Sequence, residues 1–264
     1  MNDSTGIPSA PFLPYLRRTL AVAALLLPLT SSAIVGGADT PVGRYPFAAS
    51  IQFKETGSTP LQRNGCGASL IASDWVLTAA HCLLDTEPSD IEVIVGRTRL
   101  SDASQGQVLS VRRIFIHPDF PRTLAPDVAL IKLDRVATGI IPIKLTTPGE
   151  TLEDRRKHLN AIGWGNTARI PPDMRPDTLQ QGRLPRMTDT QCSAIVPNLN
   201  LRNSFCIGAD GLIPDSGDSG GPVFIKQRNK GYVQLGVVSQ GIVIARLSNP
   251  VVADFIRNTM DGQH

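Results

Sequence analysis

From Ile34 onward the chain is a succession of short β-prone runs with turn residues between them, and this rhythm restricts it to a strand-rich fold. The runs cover residues 48–53, 69–77, 91–95, 108–116, 128–133, 161–164, 223–225 and 232–238, with residues 242–247 as a further candidate. Gly, Pro, Asp and Ser separate most of them. Many short strands punctuated in this way build a sandwich or a barrel. Twenty-three Gly and twenty-one Pro supply the turns. Helix signals are sparse, and the clearest comes last. Asn249 suits an N-cap, Pro250 suits the first helical position, and Val251, Val252, Phe255 and Ile256 share one apolar face. Residues 166–178, rich in Pro and Arg, read as a surface loop.

Two hundred and sixty-four residues with 41% apolar and 19% charged side chains are ordinary for a globular chain. No linker or repeat divides the sequence after Ile34, and all-β proteins of this size form one unit. The net charge of +3 is spread over interspersed signs, with no basic stripe. That argues against a nucleic-acid partner.

The N-terminus reads differently. Arg17-Arg18 precede an apolar run over residues 20–29, and Ser31-Ser32-Ala33 follows. This is the layout of a secretory signal peptide, and the run is too short to span a membrane. Residues 1–33 are therefore expected to be a signal peptide and residues 34–264 a single domain. The mature protein is expected to be secreted, extracellular or periplasmic, with no membrane association after cleavage. In such a compartment four cysteines can pair, and their spacing leaves three connectivities open. Cys66, Cys82, Cys192 and Cys206 contain no Cys-x-x-Cys pair, so no zinc site is expected.

The chemistry is concentrated in Gly217-Asp218-Ser219-Gly220-Gly221-Pro222. A serine hydroxyl becomes a nucleophile when a base takes its proton, a carboxylate orients that base, and backbone N–H groups receive the oxyanion. A tight glycine-rich turn around Ser219 lets such amides converge. His81, in Thr78-Ala79-Ala80-His81-Cys82, and Asp127, in Pro126-Asp127-Val128-Ala129-Leu130, are the candidate base and orienting group. Ile34-Val35-Gly36-Gly37 follows Ala33 directly.

With these four motifs in this order, the sequence resembles the chymotrypsin/trypsin-like serine peptidases from Ile34 to its C-terminal helix. The resemblance implies an all-β fold of two packed antiparallel six-stranded-type β-barrels with a short C-terminal helix. It implies hydrolysis of peptide bonds in protein or peptide substrates through an acyl-enzyme. His81, Asp127 and Ser219 would be the catalytic triad, and the N–H groups of Gly217 and Ser219 the oxyanion hole. A freed Ile34 ammonium would pair with Asp218 to activate the site. Ser239, Gln240 and Gly241 would line the substrate strand. Cys66 would bridge to Cys82 and Cys192 to Cys206. The cut after Ala33 would then make export and activation one event.

The chain departs from the family pattern around the pocket for the residue preceding the scissile bond. The stretch between Cys206 and Ser219 is shorter than usual, so either Ile213 or Asp215 stands at the pocket base. Ile213 would favour an apolar side chain, Asp215 a basic one. After Gly241 the usual longer, cysteine-bearing loop is missing. Calcium is not expected, because Arg97, Gln105 and Gln107 stand where the family's ligands would be carboxylates. No metal or other cofactor is expected, and nothing demands more than a monomer. His117, in Ile116-His117-Pro118, reads as a surface turn residue. The competing readings are a binding protein on a protease scaffold and an esterase-like hydrolase.

Overall fold

The structure is a computed structural model that describes residues 1, 34–123, 125–167, 175–209 and 211–262. The expected signal peptide, apart from Met1, and the middle of the 166–178 loop lie outside the described residues.

After a two-residue strand, β1 (Ala38–Asp39), six strands follow: β2 (Ala48–Phe53), β3 (Asn64–Ala72), β4 (Trp75–Thr78), β5 (Ile91–Val95), β6 (Gln107–Ile116) and β7 (Ala129–Leu133). They close into an antiparallel barrel in the order β2-β3-β4-β7-β6-β5. The apolar side chains of these strands fill the barrel, among them Ile51, Leu70, Leu77, Val93 and Leu130, all buried. β6 shows the alternation that a half-solvated strand requires: Leu109 and Val111 are buried while Val108, Ser110 and Arg112 face out.

The second half contributes β8 (Lys144–Leu145), β9 (His158–Gly163), β10 (Gln180–Pro185), β11 (Ser204–Cys206), β12 (Pro222–Gln227), β13 (Gly231–Gln240) and β14 (Val243–Arg246). With β1 these form an eight-stranded sheet, β1-β10-β9-β12-β13-β14-β11, with β8 alongside β13. The two halves meet through an aromatic cluster. Tyr45 and Phe47 from the first pack edge-on or tilted against Phe224 and Tyr232 from the second, with ring centroids 5.2–5.6 Å apart. The buried hydroxyl of Ser69 donates to Gln234 Oε1 across the same seam.

The expected run over 69–77 is two strands, β3 and β4, joined at Ser73-Asp74. This turn has neither Gly nor Pro. It is held by long-range partners instead: the Ser73 and Asp74 carbonyls accept the Ala137 and Leu133 N–H groups, and Lys132 Nζ lies 2.8 Å from Asp74 Oδ2. The terminal helix runs Pro250–Asp261, with Asn249 Oδ1 accepting the Val251 N–H. Val252 and Ile256 dock on the body, whereas Val251 is exposed rather than on the buried face. A further helix, Asp189–Ile195, carries a reciprocal Thr188/Gln191 capping box. Cys66 is bonded to Cys82 and Cys192 to Cys206.

His117 is not a surface residue. It is 1% exposed, and its ring packs 4.9 Å from that of Phe255 on the terminal helix. Burial pushes its pKa down, partly offset by the neighbouring Asp119 and a hydrogen bond to the Val251 backbone. Arg97 is buried as well. Its guanidinium donates to the Leu100 and Gln105 carbonyls and so holds the 97–105 loop from within.

Candidate active site

Ser219 lies in the turn before β12, and backbone hydrogen bonds fasten this turn to both halves of the molecule. The Gly67 N–H, from β3, donates to the Ser219 carbonyl at 2.7 Å. The Gly220 N–H donates to Val238 and the Val238 N–H to Gly221. Gly217 has φ 96° and Gly220 φ 81°, in the left-handed region that glycine alone adopts freely. A side chain on Gly220 would also collide with Thr78 and the Gly67 carbonyl. The Gly217-to-Gly221 pattern is therefore a packing requirement as well as a turn signal.

His81 sits in the short turn Ala80–Cys82 that follows β4, and the Cys66–Cys82 bridge ties it to β3. Its Nδ1 is 2.7 Å from Asp127 Oδ2, and its backbone N–H donates to Asp127 Oδ1 at 2.9 Å. The Ser239 hydroxyl donates to the same Oδ2 at 2.5 Å. Asp127 is 5% exposed, and these donors compensate its burial, while the imidazole remains 36% exposed. The Ser219 hydroxyl donates to the Ser239 carbonyl at 3.4 Å. Among the described residues, the N–H groups of Gly217 and Ser219 donate to no protein acceptor.

Asp218 points away from the cleft and is 1% exposed. Gly165 N donates to its Oδ1 at 2.9 Å and Asp215 N to its Oδ2 at 3.0 Å. Ile34, fully buried, contributes a backbone N–H as well. Burial nonetheless pushes the Asp218 carboxyl up to about 6. Ile34 holds φ 54°, a costly conformation for a β-branched residue. Its side chain rests against Gly182, where a Cβ would come within 2.8 Å.

A cavity of about 530 Å³ opens at Ser219. It is lined by His81, Asp127, Ser239, Gln240, Gly241, Ile213 and Asp215, so the structure brings the sequence candidates to one place. Pro214 and Ser216 also line it. So does Phe120, a buried side chain that no sequence motif marks. The Gln240–Val243 pairing turns through Gly241-Ile242 alone, so this wall ends at Gly241. A group of Cys66, His81 and Cys82 lies close enough to hold an ion, but both sulfurs are committed to the disulfide.

The family model for trypsin matches residues 34–259. The chain is 32% identical over 226 residues to serine protease 28 of Mus musculus, covering 79% of this chain and 80% of that protein. It is 30% identical over 222 residues to a trypsin of Saccharopolyspora erythraea, covering 83% and 91% respectively. Ovochymase-2 of Mus musculus matches at 33% over 237 residues, 81% of this chain but 36% of that longer protein. The chain belongs to the trypsin family and is a serine endopeptidase.

Proposed function

We propose that the protein hydrolyses peptide bonds by an acyl-enzyme route in which Ser219 is the nucleophile, His81 the base and Asp127 the group that orients it. The observation that carries this reading is the Asp127 carboxylate. It is buried and takes hydrogen bonds from His81 Nδ1, the His81 backbone and Ser239, beside a serine in the same cavity.

A neutral imidazole that donates from Nδ1 to Asp127 presents Nε2 as an acceptor. When substrate fills the cavity, the Ser219 hydroxyl leaves its long contact with the Ser239 carbonyl and turns to Nε2. The serine oxygen bonds to the scissile carbonyl carbon as its proton passes to Nε2. The carbonyl oxygen, now negative, takes the unengaged N–H groups of Gly217 and Ser219, each such donor being worth about 3–4 kcal/mol in the transition state. The C–N bond then breaks, and His81 gives its proton to the departing amine. Water repeats the sequence on the ester, losing a proton to His81 and restoring the Ser219 hydroxyl. The backbone along Ser239, Gln240 and Gly241 offers an edge on which an extended peptide adds as a strand. This chemistry needs no cofactor, and the protein acts as a monomer.

Activation follows from Ile34. In the uncut chain its neutral N–H faces a buried carboxylate and its φ is strained. Cutting the 33–34 bond removes the carbonyl that makes this φ costly and puts an ammonium beside Asp218. Ser31-Ser32-Ala33 supplies a signal-peptidase site at that bond, so the protein is secreted and activated by one cut.

A burst experiment tests the route. With a chromogenic ester in excess over enzyme, the first turnover releases leaving group in proportion to enzyme, followed by a slower steady rate. Ser219→Ala and His81→Ala abolish the burst. A linear trace that those variants leave unchanged contradicts the acyl-enzyme.

A further inference from the structure

The second sheet gathers cations at the end opposite Ser219. β9 and β12 run antiparallel, with Val223 beside Ala161 and Phe224 beside Asn160, so the start of β9 lies next to the end of β12. Arg155, Arg156 and Lys157 lead into β9, and Arg183 on β10 stands opposite Asn160. Lys226 lies near the end of β12, Arg228 and Lys230 follow in the turn to β13, and Lys144 on β8 pairs beside Val233. All eight cations are exposed. Among the described residues none of them forms an ion pair. Of the acids at this end, Asp154 and Asp189 are committed to Arg186 and Glu153 to Arg246, which leaves Glu150 beside Lys144 and Lys230. The sequence does not display this cluster, because its members come from four segments spread over residues 144–230.

Neighbouring strands lie about 4.8 Å apart, so these like charges repel one another across the sheet end. An anionic partner that bridges them relieves the repulsion and releases its own counterions. The shape of the surface selects among polyanions. Tyr232 and Val233 are successive residues of β13 and face opposite sides. Lys226 Nζ lies 5.8 Å from the Tyr232 ring, while Lys144 and Lys230 line a small cavity with Val233. The cations therefore occupy both faces of the β12–β13 hairpin as well as its tip.

A flat bilayer reaches only one of these faces. A nucleic-acid duplex, stiff over about 50 nm, does not bend over so narrow a ridge. Single-stranded nucleic acid gains affinity by stacking its bases on aromatic rings. Tyr232, the ring among these cations, already packs against Tyr45, Phe47 and Phe224 and lies under Lys226. A thin, flexible chain with sulfates on successive sugars follows the ridge and meets cations on both sides. We propose that this end of the second sheet is a binding site for a sulfated polysaccharide, separate from the cleft. β9 and β12, six residues each, span about 20 Å between it and the Ser219 turn, so a bound chain leaves the cleft open.

The test measures binding of a heparin oligosaccharide to protein beginning at Ile34, at several salt concentrations around 0.15 M. The wild-type protein binds. Lys226→Ala/Arg228→Ala/Lys230→Ala weakens binding at least about tenfold and flattens the dependence of log Kd on log salt, and Arg155→Ala/Arg156→Ala/Lys157→Ala does the same. Lys54→Ala/Arg112→Ala/Arg135→Ala removes the same charge from the first half of the molecule and changes binding less than about twofold. Hydrolysis of a small ester is unaltered in all three variants and by the oligosaccharide. Absence of binding overturns the proposal, and so does an equal loss in the control variant, which would make net charge the attraction. Tighter binding of phosphatidylserine vesicles, oligothymidylate or polyglutamate overturns the choice of a sulfated chain. Inhibition of ester hydrolysis by the oligosaccharide overturns the separation from the cleft.

Discussion

The carboxylate of Asp218 occupies the space that a side chain on Gly165 would fill: a Cβ there would lie 2.5 Å from Asp218 Cγ. The Gly165 N–H donates to Oδ1 from the same spot, and a side chain on Gly163 would strike that oxygen too. β9 therefore ends in a glycine cradle that lets the residue before Ser219 turn inward. Gly165→Ala displaces Asp218, and with it the Gly217 and Ser219 amides. The expected result is a loss of more than about 100-fold in kcat/KM, the scale of losing one oxyanion donor. Overpacking at this position costs about 1–3 kcal/mol in a denaturant melt. A variant that keeps full activity contradicts the cradle.

Asp127 takes hydrogen bonds from His81 and Ser239 on the same oxygen. Ser239→Ala leaves that oxygen one donor short, and we expect kcat to fall about tenfold, since a bond to a charged group is worth about 1.5–3 kcal/mol. Asp127→Asn removes the orienting charge and lowers kcat by about 10⁴-fold. Once Asp127 is Asn, the Ser239 change adds little, because the two act through one contact. Additive losses in the double-mutant cycle contradict that coupling.

The uncut chain carries a pH signature. The Asp218 carboxyl, at about 6 when folded against 3.8 ordinarily, binds more protons in the folded state than in the unfolded one between those values. Folding stability of uncut protein therefore falls as pH rises from about 4 to 6, by about 3 kcal/mol from this group. Asp218→Asn removes the slope. So does the 33–34 cut, which supplies a compensating ammonium. Urea melts at pH 4.5 and 7 on the three proteins measure it, and equal slopes in all three contradict the account.

His117 gives the opposite sign. Its pKa is lowered by burial, so the unfolded chain binds the extra proton and stability falls as pH drops below about 6.5. His117→Phe keeps the ring contact with Phe255 and removes this acid sensitivity. The readout is the difference between the variant's and the parent's melting temperatures at pH 5 and pH 7.5. It widens in favour of the variant at pH 5.

Much of the barrel was legible because period and turn chemistry agreed, as in residues 48–53 and 91–95, which are strands to the residue. Thr188 and Gln191 could have revealed the helix that follows them through the capping box alone. Other features depend on partners distant in sequence. The Ser73-Asp74 turn is held by Lys132, Leu133 and Ala137, and His117 is buried by a helix near the chain's end. The buried Arg246–Glu153 pair, with Arg186 and Arg246 both packed on Phe205, has no local signal at all. In the site, the motif around Ser219 was readable because each glycine answers a steric demand. Phe120 was not, since an apolar residue opening a one-turn helix carries no mark of the cavity it lines.

The most direct measurement is the mass-spectrometric site of modification after a fluorophosphonate reacts with protein beginning at Ile34. One adduct is expected, on Ser219, absent in Ser219→Ala and formed far more slowly in His81→Ala. An adduct on another residue, or undiminished labelling of Ser219→Ala, contradicts it.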